Sequence, residues 1–152
     1  MRISSDLDPV ALIAALGDAV MVCDATGAII LWNPACERMF GFTEAEAMGQ
    51  SMDIIIPERL RGRHWEGYHQ TMASGITKYG ADVLRVPAVD KSGRKMSIAF
   101  TVAMLYAPDG KVNAIASMIR DETSRFNEEQ VQRRRLTELE ARLAKSHEEN
   151  KR

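Results

Sequence analysis

Short apolar runs alternate with glycine, proline and acidic turn residues along the first part of the chain. A helix is predicted over residues 9–16, because Asp8 suits the capping position and Pro9 suits the first helical position. Two β-type runs follow at residues 19–23 and 28–32, and the connection between them contains a glycine. This order predicts a helix followed by a β-hairpin.

The middle of the chain changes to helical spacing. Helices are predicted over residues 34–40 and 43–48, and the second opens with the threonine and glutamate of a capping box. A short apolar segment follows at residues 51–56 and ends before a proline. A longer helix is then predicted from 58 to about 73, with Gly75 as its stop signal.

Three further β-runs occupy residues 82–89, 96–106 and 112–120, and turn signals separate them. The middle run alternates bulky apolar residues with small or polar ones, which is typical of a strand that buries one face. Its bulky apolar residues are Met96, Ile98, Phe100, Val102 and Met104. The order predicts an α+β fold with a five-stranded antiparallel sheet, helices packed on one face and a space between the layers where a ligand would sit.

Residues 122–152 differ from the rest, since they hold 7 Glu and 8 Lys or Arg without any glycine or proline. We predict a charged C-terminal helix there, preceded by an N-terminal cap helix at residues 1–17 and a compact domain at 18–121. Leu136, Leu139 and Leu143 have a–d–a spacing. This spacing favours a short dimerising coiled coil slightly over a solvated helix that frays.

The charge balance and the absent motifs exclude several classes of function. The chain has 20 Lys or Arg against 21 Asp or Glu, so we expect no direct nucleic-acid contact by this segment. No apolar stretch is long enough to cross a membrane, and we expect a cytoplasmic protein without a membrane partner. Cys23 and Cys36 lie among apolar residues and are predicted to be buried free thiols. No catalytic constellation is present, so we expect no enzymatic activity.

Four short motifs resemble those of PAS domains, the small sensory modules of bacterial signalling proteins. They are AIILWNPA at residues 28–35, MFGF at 39–42, AMG at 47–49 and IRDET at 119–123. The resemblance extends over roughly residues 10–125. It implies that 18–121 form a PAS sensory domain of PAS fold, and that the following helix leads to an output module.

A narrower resemblance lies in IPERLRGRHWEGY at residues 56–68. This run is similar to the haem-binding PAS domains of the FixL oxygen-sensing kinases, the Dos phosphodiesterase and the carbon-monoxide-responsive RcoM regulators. The resemblance implies that haem b is the cofactor and that His64 is the proximal iron ligand. Leu60, His64, Gly67 and Tyr68 fall on one helical stripe, and Gly67 would let a flat ring approach the backbone. The apolar wall of the site would come from Ile98, Phe100 and Val102.

Other positions depart from the FixL pattern. The distal arginine that hydrogen-bonds oxygen falls at Leu84, and the loss of this donor favours carbon monoxide or nitric oxide. No cysteine is present where RcoM-type proteins place a thiolate ligand. At two further positions the FixL pattern has an arginine and a histidine, and this chain has Gln70 and Lys78. Lys78 can still pair with a haem propionate. Met104 or Met96 could supply a sixth ligand, although methionine on an apolar strand face is far more often core packing.

The sequence therefore predicts a haem-binding sensory domain that detects a diatomic gas (CO, NO or O₂) or the redox state of the iron. The signal would pass through a homodimer and the C-terminal helix to an output domain or partner protein. Two alternatives stay open. One is a cofactor-free PAS module for dimerisation or protein interaction, in which His64 is structural. The other is a PAS pocket for a small organic metabolite.

Overall fold

The computed structural model describes residues 2–77 and 80–149. The chain divides into two compact units, residues 1–121 and 122–152. Its elements are α1 (Pro9–Ala15), β1 (Ala19–Asp24), β2 (Ile29–Trp32), α2 (Pro34–Phe40), α3 (Glu44–Ala47), a 3-10 helix (Met52–Ile55), α4 (Glu58–Ser74), β3 (Leu84–Val89), β4 (Lys95–Tyr106), β5 (Val112–Asp121) and α5 (Thr123–Glu149).

The five strands form one antiparallel sheet in the order β2-β1-β5-β4-β3. The first strand therefore lies inside the sheet and pairs with the last one, while β3, β4 and β5 form a meander. Helix α2 packs against β1, and helix α4 packs against β5. The predicted α+β fold with a five-stranded antiparallel sheet is confirmed, as is the C-terminal helix.

We call the sheet face that packs against the helices the inner face. Residues directly opposite each other on antiparallel strands share a face, so the register shows which side chains lie side by side on it. Three such rows across the sheet are Leu84–Phe100–Ile119–Ala19, Val102–Ser117–Met21–Trp32 and Met104–Ile115–Cys23–Ile29. Most of these side chains belong to the buried core. The predicted alternation of β4 is confirmed.

Local capping explains where the short helices begin. The Asp8 carboxylate accepts a hydrogen bond from the Val10 amide at the start of α1. Thr43 and Glu46 form the predicted capping box of α3, in which each side chain accepts from the other residue's backbone amide. Gly75 ends α4 in the left-handed conformation, with φ of 68°.

Asn33 joins three parts of the domain through its side-chain amide and is only 3% exposed. Its Oδ1 accepts from the amides of Val20 in β1 and Cys36 in α2. Its Nδ2 donates to the carbonyl oxygens of Ile13 in α1 and Asp18, which precedes β1. One side chain thus hydrogen-bonds four backbone groups and fixes where α1, β1 and α2 meet.

Within the second unit, α5 is a single helix of 27 residues in which no residue is buried. Leu136, Leu139 and Leu143 are all exposed on it. Among the helices that the structure describes, none combines the length and the hydropathy that crossing a membrane requires.

Candidate functional site

Helix α4 presents its buried and half-buried side chains along one side, toward the core. Leu60, His64 and Trp65 are half-buried and Tyr68 is buried. Gly67 is exposed, and a Cβ atom built on it would meet nothing within 4 Å. The sequence spacing placed Gly67 on the stripe of His64 and Tyr68. In the structure Trp65 takes the inward place beside them, because residues at i, i+1 and i+4 cluster on one side of a helix.

The His64 imidazole lies between two aromatic rings of its own helix. Its centroid is 5.0 Å from that of Trp65, edge to face, and 5.9 Å from that of Tyr68. Its Nδ1 atom is buried and has no hydrogen-bond partner among the described residues. Burial lowers the pKa of His64 below its usual value, against an opposite effect of the Asp53 carboxylate. A neutral imidazole is therefore held with one ring nitrogen unsatisfied.

Three side chains fix the turns of α4 around His64. The Tyr68 hydroxyl donates to the Asp24 carbonyl oxygen at 2.5 Å, at the end of β1. The Trp65 indole Nε1 donates to Asp53 Oδ1 at 2.8 Å, and the Arg61 guanidinium donates to the Asp53 carbonyl oxygen at 3.2 Å. These bonds connect the helix to the first hairpin and to the 3-10 helix. Sequence reasoning missed Asp53 and Trp65, since only the fold brings them together.

The hairpin turn between β1 and β2 lies directly against Trp65. Gly27 has a φ of 82°, and a Cβ atom built on it would overlap the Trp65 ring. Glycine is required at this position for two reasons, the left-handed backbone and the close approach of the indole.

The predicted apolar wall lies on the inner face of the sheet. Ile98 is buried, and Phe100 and Val102 are half-buried and pack against the core. Leu84 is half-buried and lies directly opposite Phe100 on the neighbouring strand. The predicted propionate partner, Lys78, lies outside the described residues. Gln70, the other polar position of the pattern, is exposed.

The two methionines considered as sixth ligands lie far apart on the inner face. Met96 is buried opposite Ala88, near the start of β4. Met104 shares a row with Cys23, whose carbonyl oxygen is 3.4 Å from the Tyr68 hydroxyl. Eight residues of strand separate the two methionines, which corresponds to about 26 Å. Of the two, Met104 lies on the row that α4 contacts. The other two histidines, at positions 69 and 147, are exposed.

One further polar group faces the core from the sheet. Ser117 on β5 is 9% exposed and lies between Met21 and Val102 on the neighbouring strands. The sequence also indicates this position, because a serine occupies the inward place between Ile115 and Ile119.

Comparison with known proteins decides the family. The sequence model of the PAS fold matches residues 7–121, and thus includes α1 and all five strands. The chain belongs to the PAS fold family. PAS domains of this kind are sensory domains of signal-transduction proteins, and this is the general role of the chain.

Solved and curated relatives agree with this assignment. The PAS domain of a protein from Colwellia psychrerythraea superposes with a TM-score of 0.66 at 19% identity, covering 76% of this chain and 94% of that one, which supports the fold alone. Sensor protein FixL of Bradyrhizobium diazoefficiens is 49% identical over 47 residues, 31% of this PAS chain and 9% of that protein. Oxygen sensor protein DosP of Escherichia coli is 28% identical over 93 residues, 61% of this chain and 11% of that protein. The chain therefore spans a small part of these relatives.

The two cysteines of the PAS domain are buried and free, as predicted. Burial raises the pKa of the Cys23 thiol to about 12 and that of the Cys36 thiol to about 12. Because the thiolate is the reactive species, neither is expected to react with a disulfide reagent at pH 8 in the folded protein. Colorimetric thiol titration should give no fast reaction in buffer and 2 equivalents per chain in denaturant. Rapid modification of either thiol in the native protein would contradict this burial.

Proposed function

We propose that this PAS domain binds haem b through His64 and senses a diatomic gas (CO, NO or O₂) or the redox state of the iron. The proposal includes a cytoplasmic setting and no enzymatic activity of the chain itself. The observation that carries it is the His64 imidazole, which is neutral, rigidly positioned and left with a buried nitrogen that no described residue satisfies.

An unsatisfied buried polar atom costs stability, and native proteins keep few of them. Metal ligation requires a neutral imidazole on a rigid element. The helix around His64 is rigid because Trp65 is bonded to Asp53 and Tyr68 is bonded to Asp24. His64 thus combines the protonation state and the rigidity of a haem ligand. A solely structural histidine would be expected to use both nitrogens in hydrogen bonds.

The residues present fit a haem group. His64 would hold the iron, and the apolar side chains of Leu60, Ile98, Phe100 and Val102 would pack against the macrocycle. The haem supplies an iron that binds diatomic ligands or changes its oxidation state. Leu84 offers no hydrogen bond from the sheet at the position where the resembled FixL pattern has an arginine, which favours CO or NO over O₂.

The names of two relatives support the sensing role. FixL is a sensor protein, and DosP is an oxygen sensor protein. Their similarity to this chain is partial, so it supports the class of signal and leaves the particular gas to experiment.

The output would pass through a homodimer. Within α5, the three exposed leucines have a spacing that repeats on one side of a helix, and the remaining surface is densely charged. Pairing with a second copy would bury these leucines. A change at the haem would then shift the packing of the paired helices and act on an output domain or partner protein.

A haem titration followed by absorption spectroscopy tests the cofactor. The wild type is expected to develop a sharp Soret band that saturates at one haem per chain, because a protein-ligated haem differs from free haem. His64→Ala should lose this band or shift it strongly. His69→Ala is the matched control, since it removes an exposed histidine from the same helix and should bind haem as the wild type does.

A free-haem spectrum in the wild type would overturn the proposal and leave the cofactor-free interaction module and the metabolite sensor as the remaining functions. An unchanged Soret band in His64→Ala would retain haem binding but remove His64 as the ligand.

A further inference from the structure

Helix α5 carries an apolar seam that a single chain leaves in contact with water. Leu136, Leu139 and Leu143 are 57%, 55% and 61% exposed. They occupy the a, d and a positions of a heptad, so they lie along one side of the helix. Removing such a stripe from water is favourable, which makes it a surface that fits a second helix.

Four charged residues flank this seam. In the heptad that the leucines define, Glu128 and Arg135 occupy g positions, and Arg133 and Glu140 occupy e positions. All four are exposed, and the ion pairs that α5 forms within its described residues include none of them. Ion pairs within one helix join residues three or four positions apart, and Glu140 has no lysine or arginine at that spacing. These charges are therefore available to a neighbouring helix.

The spacing of the leucines distinguishes the two possible orientations of a helix pair. In a parallel, in-register pair each a or d residue packs against its own copy, so all three leucines meet leucine. An antiparallel pair places a positions opposite d positions, and Leu139 is the one d leucine of the seam. It can then align with only one of the two a leucines, and the other a leucine faces Gln132 or Ser146. The parallel pair therefore buries more apolar surface.

The same parallel register pairs the flanking charges with opposite sign. A g residue of one helix lies beside the e residue five positions further along the other helix. Glu128 then faces Arg133 of the second copy, and Arg135 faces Glu140 of the second copy. Symmetry forms each of these pairs twice.

We propose that α5 pairs with α5 of a second copy of this chain as a parallel, in-register coiled coil. The three leucine layers supply the attraction, and the crossed Glu128–Arg133 and Arg135–Glu140 pairs select a second copy as the partner. This inference rests on the homodimer of the proposed function. The charge pairs give specificity more than affinity, because a helix with a different e and g pattern would bring like charges together.

Sedimentation equilibrium of the full chain without added haem tests the charge pairs. Arg135→Glu and Glu140→Arg each place two like-charged pairs at the seam and should weaken the homodimer about tenfold. An equimolar mixture of these two variants should dimerise as the wild type does, because the new carboxylate of one chain faces the new guanidinium of the other. Arg134→Glu is the matched control, since it makes the same charge change at an f position on the far side of the helix and should leave dimerisation unchanged.

Disulfide trapping tests the orientation. Ser146→Cys introduces a thiol at the next d position, which lies beside its own copy only in the parallel register, so oxidised glutathione should convert this variant to covalent dimers. Ala141→Cys is the control, because its f position faces away from the seam and should give monomers under the same conditions. The native cysteines are buried in both variants.

The outcomes separate this inference from the haem proposal. A wild type that stays monomeric overturns the coiled coil and the homodimer, and leaves haem ligation by His64 untouched. A wild type that dimerises while both charge variants keep its affinity overturns the selecting role of the pairs. Equal yields of covalent dimer from Ser146→Cys and Ala141→Cys overturn the parallel register. A missing Soret band overturns haem binding alone.

Discussion

Replacing Asn33 with alanine is expected to lower the free energy of unfolding of the PAS domain by about 3–5 kcal/mol. Its amide hydrogen-bonds backbone groups of Val20, Ile13 and Asp18, and also the Cys36 amide, which keeps the Asn33 carbonyl oxygen as a second acceptor. Leaving a buried donor or acceptor unpaired costs about 1–3 kcal/mol each, and part of that cost is recovered where the chain relaxes toward water. Because a typical domain is stable by about 5–15 kcal/mol, this one change removes a large share of the total.

Urea denaturation followed by circular dichroism measures the effect. Asn113→Ala is the control, since it removes an exposed asparagine from β5 and should change the free energy by about 0.5 kcal/mol or less. Loss of a cooperative transition in Asn33→Ala would agree with the expectation. Equal midpoints for the two variants would show that the Asn33 network does not hold α1, β1 and α2 together.

Gly27→Ala is expected to destabilise the domain by about 3 kcal/mol. A non-glycine residue in the left-handed region costs about 1–3 kcal/mol, and overpacking a filled space adds a similar amount. Both apply here, because φ is 82° and the new methyl group would overlap the Trp65 ring. The indole cannot move freely, since its Nε1 atom donates to Asp53. The strain would therefore reach the turn of α4 that carries His64.

The chain provides a control with the same backbone strain. Gly110 also has a φ of 82°, but a Cβ atom built there would meet nothing within 4 Å. Gly110→Ala should lower the free energy of unfolding only by the cost of the left-handed backbone. The difference between Gly27→Ala and Gly110→Ala therefore measures the overlap with Trp65. In a Trp65→Ala background the indole is gone. Introducing Gly27→Ala there should lower the free energy of unfolding by little more than Gly110→Ala does in the wild type. Equal effects at Gly27 and Gly110 would mean that the indole gives way at no cost.

The sequence predicted most elements because their signals are local. The caps of α1 and α3, the glycine at the end of α4 and the alternation in β4 each depend on residues a few positions apart. The fold class followed from the order of these elements.

The site was predicted less completely because it depends on contacts between distant segments. The bond from the Trp65 indole to the Asp53 carboxylate, which anchors the helix beside His64, joins residues 12 positions apart in the chain. The neighbours of Ser117 across the sheet follow from the strand register, which puts it beside Met21 and Val102. Spacing along one helix contains no information about either contact.

The central position of β1 has a consequence for how the domain is made. Ala19 pairs with Ile119, so the sheet cannot form before nearly the whole domain has been synthesised. Closing so long a loop is entropically unfavourable until the pairing is complete, and sheets built on such distant contacts fold slowly. During synthesis, the edge of β1 that pairs with β5 would stay unpaired until β5 has left the ribosome. The domain is therefore most exposed to misfolding and aggregation during its own translation.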